Sequence, residues 1–508
     1  MQKLAISFSL VFLLMVQTTS FAQTSKARKP NIVLIYTDDL GFGDISVNGT
    51  SAVKTPNIDQ LAKSGVNFTN AHTTSATCTP SRFSLLTGKY AWRKAGTGIA
   101  PGDASLIIPT NITTLPSMLQ KAGYHTAVIG KWHLGLGDAK GADWNGKIKP
   151  GPLEIGFNYS YLIPATGDRV PCVFIENHEV VNLDKNDPIV VSYKGPIDSS
   201  APTGKKNPEL LKMLTTHGHD MTIVNGVSRI GYMSGGTSAL WKDEDFADIL
   251  VNKAKTYIAQ QKGKPFFLYY STHDIHVPRL PHSRFIGKSG MGPRGDALMQ
   301  LDWQVGELVA TLKKQNLLEN TLIIFTSDNG MVLDDGYKDD AVEKLGNHKP
   351  GGVHRGGKYS AFEGGTKVPM IISWKGTIKP NKLSTARNSQ IDFYASLAAL
   401  TGTSIENGQA PDSKNALAVL LNQSNQSREY IVEQSINSTL SLVIGNWKYI
   451  EPSNGPKINK NTNTEMGYLP KPQLYDLSKD PGETNNVADA NPEKVNEMKE
   501  KLEQIKKQ

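Results

Sequence analysis

The sequence predicts an α/β fold: a mostly parallel sheet sandwiched by helices, followed by a smaller antiparallel-sheet subdomain at the carboxyl end. Three observations lead to this prediction. Short apolar runs have the composition of strands that are buried on both faces, and segments with helical spacing of apolar residues lie between them. The last part of the chain instead has short strand-like runs separated by turn residues. Alternating strands and helices are typical of a layered α/β domain.

Five apolar runs are predicted to be strands of the main sheet, because each is short and is followed by polar or turn-forming residues. They occupy residues 31–36, 126–130, 265–270, 321–326 and 368–373. Apolar residues with helical spacing follow Thr55-Pro56 and recur in 246–258 and 298–312, which are predicted to be helices. The segment 135–235 has few periodic runs and many Gly, Pro and Asn, so we expect long loops above the sheet.

The pattern changes after a polar stretch, rich in Ser and Asn, at residues 402–427. Beyond it, a charged helix is predicted at 495–505, and three short strands are predicted at 429–433, 440–444 and 447–450. The predicted regions are a signal peptide at 1–22, a large α/β domain at 23–415 and a carboxyl-terminal subdomain at 416–508.

The first residues have the features of a secretory signal peptide. Lys3 precedes the apolar run 10–16, and Ser20-Phe21-Ala22 forms a small-x-small cleavage pattern. The run is shorter than the roughly 20 residues that span a bilayer. We therefore expect a secreted or periplasmic protein that has no membrane span after cleavage.

Composition excludes several classes of protein. The chain has 508 residues, of which 38% are hydrophobic and 20% charged, so it is predicted to fold around a large core. The net charge of +8 is not concentrated in any long Lys/Arg run, so no nucleic-acid partner is predicted. Only Cys78 and Cys172 are present, so the fold cannot depend on a disulfide framework.

Oxygen-bearing side chains follow two of the predicted strands. Asp38 and Asp39 come directly after the first strand, and Asp328-Asn329 follow the strand that ends at Thr326. Open α/β sheets bind ligands at the carboxyl ends of their strands. Three carboxylates and one amide suit a hard cation such as Ca²⁺ or Mg²⁺ better than Zn²⁺. A metal site is therefore predicted, although each cluster alone could be a turn or a helix cap.

Basic groups follow two further strands. Lys131 and His133 lie directly after one strand, and His273 and His276 follow another. Each of these residues taken singly could be structural. Their placement beside a predicted metal favours a site for an anion.

Cys78 lies in the most specific local pattern of the chain, Cys78-Thr-Pro-Ser-Arg82 followed by Leu86-Thr87-Gly88. Its residue type alone is consistent with a small core residue or a thiolate nucleophile. Arg82 lies four residues further on and no partner base is evident from the sequence, so both interpretations remain open at this point.

The Cys78 pattern resembles the signature of the formylglycine-dependent type I sulfatases. Further motifs occur in the order seen in that family: Asp38-Asp39, Gly130 to Gly135, His276 with Pro278, Asp328 to Gly330, and Gly357-Lys358 leading to Glu363-Gly364-Gly365. The resemblance spans roughly residues 30–375. It implies an alkaline-phosphatase-like core, with the large domain as the catalytic one.

The resemblance also implies a cofactor and a modified residue. Cys78 would be oxidised to formylglycine, also called 3-oxoalanine, by a formylglycine-generating or an anaerobic sulfatase-maturating enzyme. One Ca²⁺, or Mg²⁺, would be held by residue 78 together with Asp38, Asp39, Asp328 and Asn329.

The family's reaction then implies a role for each remaining motif residue. One hydroxyl of the hydrated aldehyde would attack sulfur and leave residue 78 sulfated. Arg82 and His133 would position the hydrate, and His133 would deprotonate its second hydroxyl to expel sulfate. Lys131 and Lys358 would bind sulfate, and His276 would bind sulfate and protonate the departing alcohol oxygen.

Three loops resemble sulfatases of glycan-degrading Bacteroidetes, which are called arylsulfatases or N-acetylgalactosamine sulfatases. These loops are Asp168 to Cys172, His217 to Asp220 and Tyr359 to Phe362. The implied substrate is a sulfated glycan or oligosaccharide, with galactose or N-acetylgalactosamine sulfate as candidate units. The candidate sugar-binding residues are Arg169, His219, Asp220, Asp335, His348 and His354, although each could be a structural loop residue.

Two other functions are alternatives to a sulfatase. A phosphate monoester or phosphonate hydrolase of the same superfamily would need a second metal set, to which His273, Asp274 and His276 could contribute. Cys78 in its complete motif argues against this activity. A catalytically silent glycan-binding protein is the other alternative, and it is disfavoured because every expected site position is filled.

Overall fold

The computed structural model describes residues 29–49, 52–261 and 263–508. The predicted signal peptide at 1–22 lies outside the described residues. Within those ranges, no helix combines the length and the apolar character needed to cross a membrane.

In chain order, the strands of the described residues are β1 (Asn31–Thr37), β2 (Val66–Phe68), β3 (Ala71–His72), β4 (His125–Lys131), β5 (Tyr159–Ile163), β6 (Ile175–Glu176), β7 (Glu179–Val180), β8 (Val190–Ser192), β9 (Ile223–Val224), β10 (Val227–Ser228), β11 (Tyr232–Ser234), β12 (Phe266–Ser271), β13 (Thr321–Ser327), β14 (Met370–Ser373), β15 (Lys382–Ser384), β16 (Asn388–Ser389), β17 (Tyr430–Gln434), β18 (Leu440–Ile444), β19 (Trp447–Ile450), β20 (Ile458–Asn459), β21 (Thr464–Glu465) and β22 (Gln473–Asp476).

The helices of the described residues, also in chain order, are α1 (Pro56–Lys63), α2 (Cys78–Thr87), α3 (Leu115–Lys121), α4 (Phe246–Gln260), α5 (Gly292–Lys314), α6 (Glu363–Thr366), α7 (Phe393–Thr401), α8 (Leu417–Leu420) and α9 (Pro492–Lys507).

The main sheet has ten strands in the order β15-β2-β14-β13-β1-β12-β4-β5-β6-β7. Its centre, from β13 to β5, is wholly parallel, and every residue of β1, β12 and β13 is buried. Helices α1, α4 and α5 pack together, as do α2, α3 and α7. The predicted α/β sandwich is therefore confirmed. The run at 368–373 forms β14, which is antiparallel to both of its neighbours.

The segment 135–235 is more ordered than the sequence predicts. Its residues Tyr159–Ile163 form β5, which extends the main sheet in parallel with β4. Ser160 interrupts the apolar pattern of this strand and conceals it, yet the residue is buried and its hydroxyl donates to the carbonyl oxygen of Asn177 at 3.5 Å. The expectation of loops alone was wrong here, because a tertiary hydrogen bond satisfies the polar residue.

The carboxyl-terminal part forms the predicted antiparallel sheet, in the order β17-β18-β19-β22, and α9 packs against β18 and β19. The strand β22 was not predicted from the sequence. The boundary between residues 415 and 416 stays a prediction.

A buried cluster of charges joins this subdomain to the large domain. The ammonium group of Lys448, on β19, lies 3.0 Å from Glu363, 3.0 Å from Glu433 and 3.5 Å from Glu483. His72, on β3, also contacts Glu433, at 2.8 Å. Because Glu363 and His72 belong to the large domain, these ion pairs fix the orientation of the two sheets.

We predict that Lys448→Met lowers the free energy of unfolding by about 3–5 kcal/mol, since it leaves buried carboxylates without their cation. Urea denaturation measures this loss. The control is Lys471→Met, which removes an exposed pair with Asp489 at 3.1 Å and should cost no more than about 1 kcal/mol. Equal and small losses in the two variants would contradict this account of the Lys448 cluster.

Candidate active site

The candidate site lies where four neighbouring parallel strands end. Strands β13, β1, β12 and β4 are adjacent in the sheet, so their carboxyl ends share one edge. Asp38 and Asp328 follow β1 and β13, Lys131 ends β4, and His276 lies in the loop after β12. This edge is where open α/β sheets place their ligands.

Three cations surround the buried carboxylates of this edge. Arg82 donates to Asp328 Oδ2 from Nη2 at 2.6 Å and from Nε at 3.0 Å, and Lys131 forms an ion pair with Asp38. Lys358 Nζ lies 2.9 Å from Asp39. All of these side chains are buried, so the pairs compensate charges that water cannot reach.

Three oxygen atoms at the centre of the site accept no hydrogen bond from the described residues. They are both carboxylate oxygens of Asp38 and Asn329 Oδ1, all of them buried, although Asp38 Oδ2 lies in the ion pair with Lys131. Burial raises the pKa of Asp38 well above its usual value, and repulsion from Asp328 adds to this shift. Asp38, Asp39 and His276 also have potential ligand atoms within 4.8 Å of one another. Orphaned carboxylate and amide oxygens are the donors that a hard divalent cation requires, so these residues fit one.

Cys78 is the first residue of α2 and is paired with His133. Its Sγ lies 3.1 Å from His133 Nδ1, while His133 Nε2 lies 2.9 Å from the carbonyl oxygen of Ala100. A carbonyl only accepts, so Nε2 carries the proton and Nδ1 presents its lone pair to residue 78. Burial lowers the pKa of His133 well below its usual value, and Lys131 acts in the same direction. The arrangement holds a neutral base against residue 78.

The structure disfavours a thiolate at Cys78. Burial raises the pKa of its thiol, and this effect outweighs the opposing charges of Lys131 and Lys358. A buried, protonated thiol is a poor nucleophile.

His276 faces the same site from the β12 loop. Its Nδ1 donates to the carbonyl oxygen of Val277 at 2.6 Å, and its Nε2 lies 3.8 Å from Asp39 Oδ2. Burial lowers the pKa of His276 well below its usual value. The neutral ring therefore has its Nε2 free to exchange a proton with a bound group.

Backbone conformation also distinguishes this site. Asp39, His133 and Tyr359 have φ angles of 57°, 55° and 81°, a region that favours glycine. Such conformations persist where the surrounding structure holds them, and they are concentrated at functional sites.

A narrow cleft leads to Cys78 from the surface. Its lining residues are Cys78, Ile99, Asp168, Arg169, His219, Ile230, His276, Asp335, Lys358 and Tyr359. The cleft thus brings together three of the six predicted sugar-binding residues, namely Arg169, His219 and Asp335.

Asp168 was not predicted as a site residue, yet it connects two that were. Its Oδ2 lies 2.9 Å from Arg169 Nη1 and 3.0 Å from His219 Nε2, while His219 Nδ1 lies 2.8 Å from the carbonyl oxygen of His217. Burial alone would lower the pKa of His219, but the bond to Asp168 outweighs burial and raises it. We call Asp168, Arg169 and His219 the cleft triad.

The other wall of the cleft contains Asp335. Its carboxylate accepts from Lys358 Nζ at 2.8 Å and from the Tyr359 hydroxyl at 2.9 Å. Asp335 therefore connects the cleft to Lys358, the lysine that also pairs with Asp39.

The remaining three predicted sugar-binding residues lie outside the cleft. His348 Nε2 is 2.8 Å from Asp44, and His354 Nδ1 is 3.3 Å from the carbonyl oxygen of Pro481. Asp220 pairs through its backbone with Lys205 and does not line the cleft. Ile99 and Ile230 do line it, and as single apolar residues in loops they carry no signal in the sequence.

Two of the three groups suggested for a second metal are already engaged. His273 Nε2 accepts from the Gly167 N–H at 3.0 Å, and Asp274 accepts from Gln300 at 3.0 Å and Gln304 at 2.6 Å. Among the described residues, the other cluster that could hold a metal is His72, Glu363 and Glu433, where Lys448 already lies. His273 and Asp274 are therefore not available as ligands of a second metal, and His276 lies at the first metal site instead.

Comparison with known proteins identifies relatives along most of the chain. The family model described as Sulfatase matches residues 30–403. The N-acetylgalactosamine-6-O-sulfatase of Bacteroides thetaiotaomicron is 57% identical over 480 residues, covering 94% of each protein. Human arylsulfatase A is 32% identical over 494 residues, covering 93% of this chain and 87% of that protein. The resemblance inferred from the Cys78 pattern is confirmed.

Solved structures agree with this result. A structure from a study of glycosaminoglycan metabolism by Bacteroides thetaiotaomicron superposes with a TM-score of 0.94 at 56% identity, covering 95% of this chain and 100% of that one. The phosphonate monoester hydrolase of Agrobacterium radiobacter has a TM-score of 0.56 at 17% identity, covering 93% and 95%, and shares the fold alone. The predicted alkaline-phosphatase-like fold is thereby confirmed.

We predict that a divalent cation stabilises this protein by binding at Asp38. Calcium at about 100 times its dissociation constant should stabilise the chelator-treated protein by about 2.7 kcal/mol, measured as a rise in melting temperature. Asp38→Ala should lose this response. Asp302→Asn, which removes a carboxylate that accepts from Asn57 and Ile58, should melt earlier but keep the full response. A full calcium response in Asp38→Ala would contradict the site.

Proposed function

Because this chain belongs to the sulfatase family and is therefore a sulfuric ester hydrolase, we propose that its substrate is a sulfated carbohydrate. The first candidate group is the 6-sulfate of N-acetylgalactosamine or galactose. The relative that is 57% identical carries the name N-acetylgalactosamine-6-O-sulfatase, which supports this assignment. The observation that carries the proposal is the cleft triad beside Cys78, because ionic hydrogen-bonding groups match sugar hydroxyls rather than an apolar alcohol.

Residue 78 is proposed as the catalytic nucleophile after its oxidation to formylglycine by a maturation enzyme. The hydrated aldehyde supplies an oxygen nucleophile, which the buried thiol does not. His133 Nδ1, at 3.1 Å from the side chain of residue 78, is placed to accept a proton from it. Arg82 fixes the Asp328 carboxylate next to this position.

The proposed cation is Ca²⁺, with Mg²⁺ as the alternative. Asp38, Asp39, Asp328, Asn329 and residue 78 would hold it, and it would stabilise negative charge on the sulfate oxygens. Lys131 and Lys358, each already paired with an aspartate of this set, would contact the sulfate group as well. Together these charges lower the cost of bringing an anionic ester to the nucleophile.

His276 is proposed to protonate the departing oxygen from Nε2. Nδ1 already donates its proton to the carbonyl oxygen of Val277, so Nε2 must first take up a proton, which the negative charge of a bound sulfate ester favours. A sugar alkoxide is a poor leaving group, so this proton matters more for sugar sulfates than for activated phenyl sulfates.

The sugar ring is proposed to contact the cleft triad and Asp335. Arg169 presents guanidinium donors and Asp335 presents acceptor oxygens, so the two walls together could bind both the oxygen and the proton of a sugar hydroxyl. His219 uses both ring nitrogens to hold Asp168 and the carbonyl oxygen of His217, so its proposed role is to position Asp168 and, through it, Arg169. The proposed location is the periplasm or the cell exterior, which follows from the predicted signal peptide.

We predict that Cys78→Ala abolishes sulfate release from p-nitrophenyl sulfate and from N-acetylgalactosamine 6-sulfate. The variant should melt at nearly the wild-type temperature, because the substitution removes one small buried atom. The tryptic peptide of active wild-type enzyme should be about 18 Da lighter than its cysteine form, as the change of CH₂SH to CHO requires. Near-normal turnover by Cys78→Ala would refute the mechanism. Faster hydrolysis of p-nitrophenyl phosphate by wild type would favour the phosphatase alternative.

We predict that His219→Ala separates the sugar substrate from the aryl substrate. His219→Ala removes the charged hydrogen bond that holds Asp168, and with it the fixed position of Arg169. If that bond, worth about 1.5–3 kcal/mol, is expressed in binding of the sugar, kcat/KM for N-acetylgalactosamine 6-sulfate should fall by about 10- to 150-fold. The kcat/KM for p-nitrophenyl sulfate should change by less than about threefold.

The control variant is His354→Ala, which removes a loop histidine outside the cleft. It should leave kcat/KM unchanged for both substrates. Equal losses with both substrates in His219→Ala would show that His219 does not act on the sugar.

A further inference from the structure

A second cavity, of about 330 Å³, lies away from the catalytic cleft and shares no lining residue with it. The polar stretch at 402–427, rich in Ser and Asn, forms one of its walls. The volume falls in the range of small-molecule sites. Its lining residues are Arg387, Asn388, Asp392, Lys414, Asn415, Ala416, Ala418, Val419, Ser424, Gln426, Ser427, Arg428 and Glu429.

Arg387 in this cavity lacks the partner that other arginines have. Every other arginine in the described part of the chain has a carboxylate oxygen within 4.0 Å, and Arg387 has none. Its side chain is 8% exposed and makes one hydrogen bond among the described residues, from Nη2 to the carbonyl oxygen of Gly445. A buried cation without a carboxylate in direct contact is unfavourable, and burial lowers the pKa of Arg387 although the more distant Glu363 and Glu433 oppose this shift.

The other charges around the cavity cancel in pairs. Arg428 forms an ion pair with Asp392 and also donates to the carbonyl oxygen of Tyr430 at 2.8 Å. Glu429 pairs with Lys501 at 2.9 Å, whereas Lys414 lies 3.8 Å from Glu429. Arg387 and Lys414 therefore give the cavity a net positive charge.

The hydroxyl groups on the wall are also left as donors. Ser427 Oγ accepts from the Arg387 N–H at 3.0 Å, and Ser424 Oγ accepts from the Gln426 N–H at 3.1 Å. Neither hydroxyl donates to any acceptor among the described residues, so each proton is available to a ligand. Two cations and two free hydroxyl donors match the oxygens of a tetrahedral anion.

We propose that this cavity is a second, non-catalytic binding site for a sulfate group. The group could be free inorganic sulfate, which is the product of the reaction, or a sulfate carried by a glycan chain. The first source requires only sulfatase activity, whereas the second rests on the proposed carbohydrate substrate. A site of either kind would hold sulfate without cleaving it, because the cavity has no counterpart of Cys78 and His133.

The test is equilibrium dialysis of the full-length, matured enzyme in chloride buffer, first against [³⁵S]sulfate. Wild type should bind two sulfate ions, one in the catalytic cleft and one at Arg387. Arg387→Gln and Lys414→Gln should each weaken the second class of site at least tenfold. Neither variant should change kcat/KM for p-nitrophenyl sulfate.

Two variants are used so that the test still gives a result if one of them fails to fold. Lys414 is about half exposed, so Lys414→Gln should fold even if Arg387→Gln does not. The matched control is Lys121→Gln, which removes a similarly exposed lysine 4.0 Å from Glu406 and should leave both sulfate ions bound. Wild-type stoichiometry and affinity in both cavity variants, or a single sulfate ion bound by wild type, would overturn the proposal.

The second arm repeats the dialysis with a labelled chondroitin 6-sulfate hexasaccharide and Cys78→Ala, which should not cleave it. If binding of the hexasaccharide depends on Arg387, the ligand of the cavity is a sulfate group carried by a glycan. If only inorganic sulfate binds there, the ligand is the product of the reaction. Desulfation of the hexasaccharide by wild type is measured separately. Failure of that reaction would contradict the proposed substrate and leave the sulfate site standing.

Discussion

The site depends on neutralising three carboxylates, those of Asp38, Asp39 and Asp328, which are buried at one edge of the sheet. A buried carboxylate is tolerated only when charged or hydrogen-bonding partners surround it. Three cations supply most of that compensation: Lys131 pairs with Asp38, Lys358 pairs with Asp39 and Arg82 pairs with Asp328. The compensation is incomplete, because Asp38 Oδ1 and Asn329 Oδ1 still lack donors within the described residues. A divalent cation bound between these two oxygen atoms would complete the compensation of charge.

The carboxyl-terminal subdomain contributes to this balance although it supplies no ligand. Tyr359, next to Lys358, donates its N–H to the Ala76 carbonyl at 2.7 Å and accepts from the Ile436 N–H at 3.1 Å. Four residues further on, Glu363 enters the cluster of Lys448. The segment that carries Lys358 is therefore held between the two domains. Docking of the small sheet is part of what places this cation beside Asp39.

Local signals explain why part of the site could be predicted from the sequence. Asp38 and Asp328 directly follow apolar strands, so their position at the sheet edge follows from chain order. The contact between Cys78 and His133 spans 55 positions and depends on how α2 meets the end of β4, for which no local pattern exists. Loop histidines such as His219 and His348 are harder still, because no periodic pattern around them indicates where they lie. Tertiary structure bonds one to Asp168 in the cleft and the other to Asp44.

The cleft triad also explains how this site can discriminate among sulfate esters. Asp168 is bonded to both Arg169 and His219, so their positions are fixed before a substrate enters. A ligand that cannot hydrogen-bond to Arg169 or Asp335 would still displace their water and leave polar atoms unpaired, which costs more than a missing apolar contact. On the proposed binding mode, a fixed polar wall would reject alcohols without matching hydroxyls. The chemistry at residue 78 could then be common to all sulfatases, while the choice of sugar would depend on loop residues that lie beyond the strand ends.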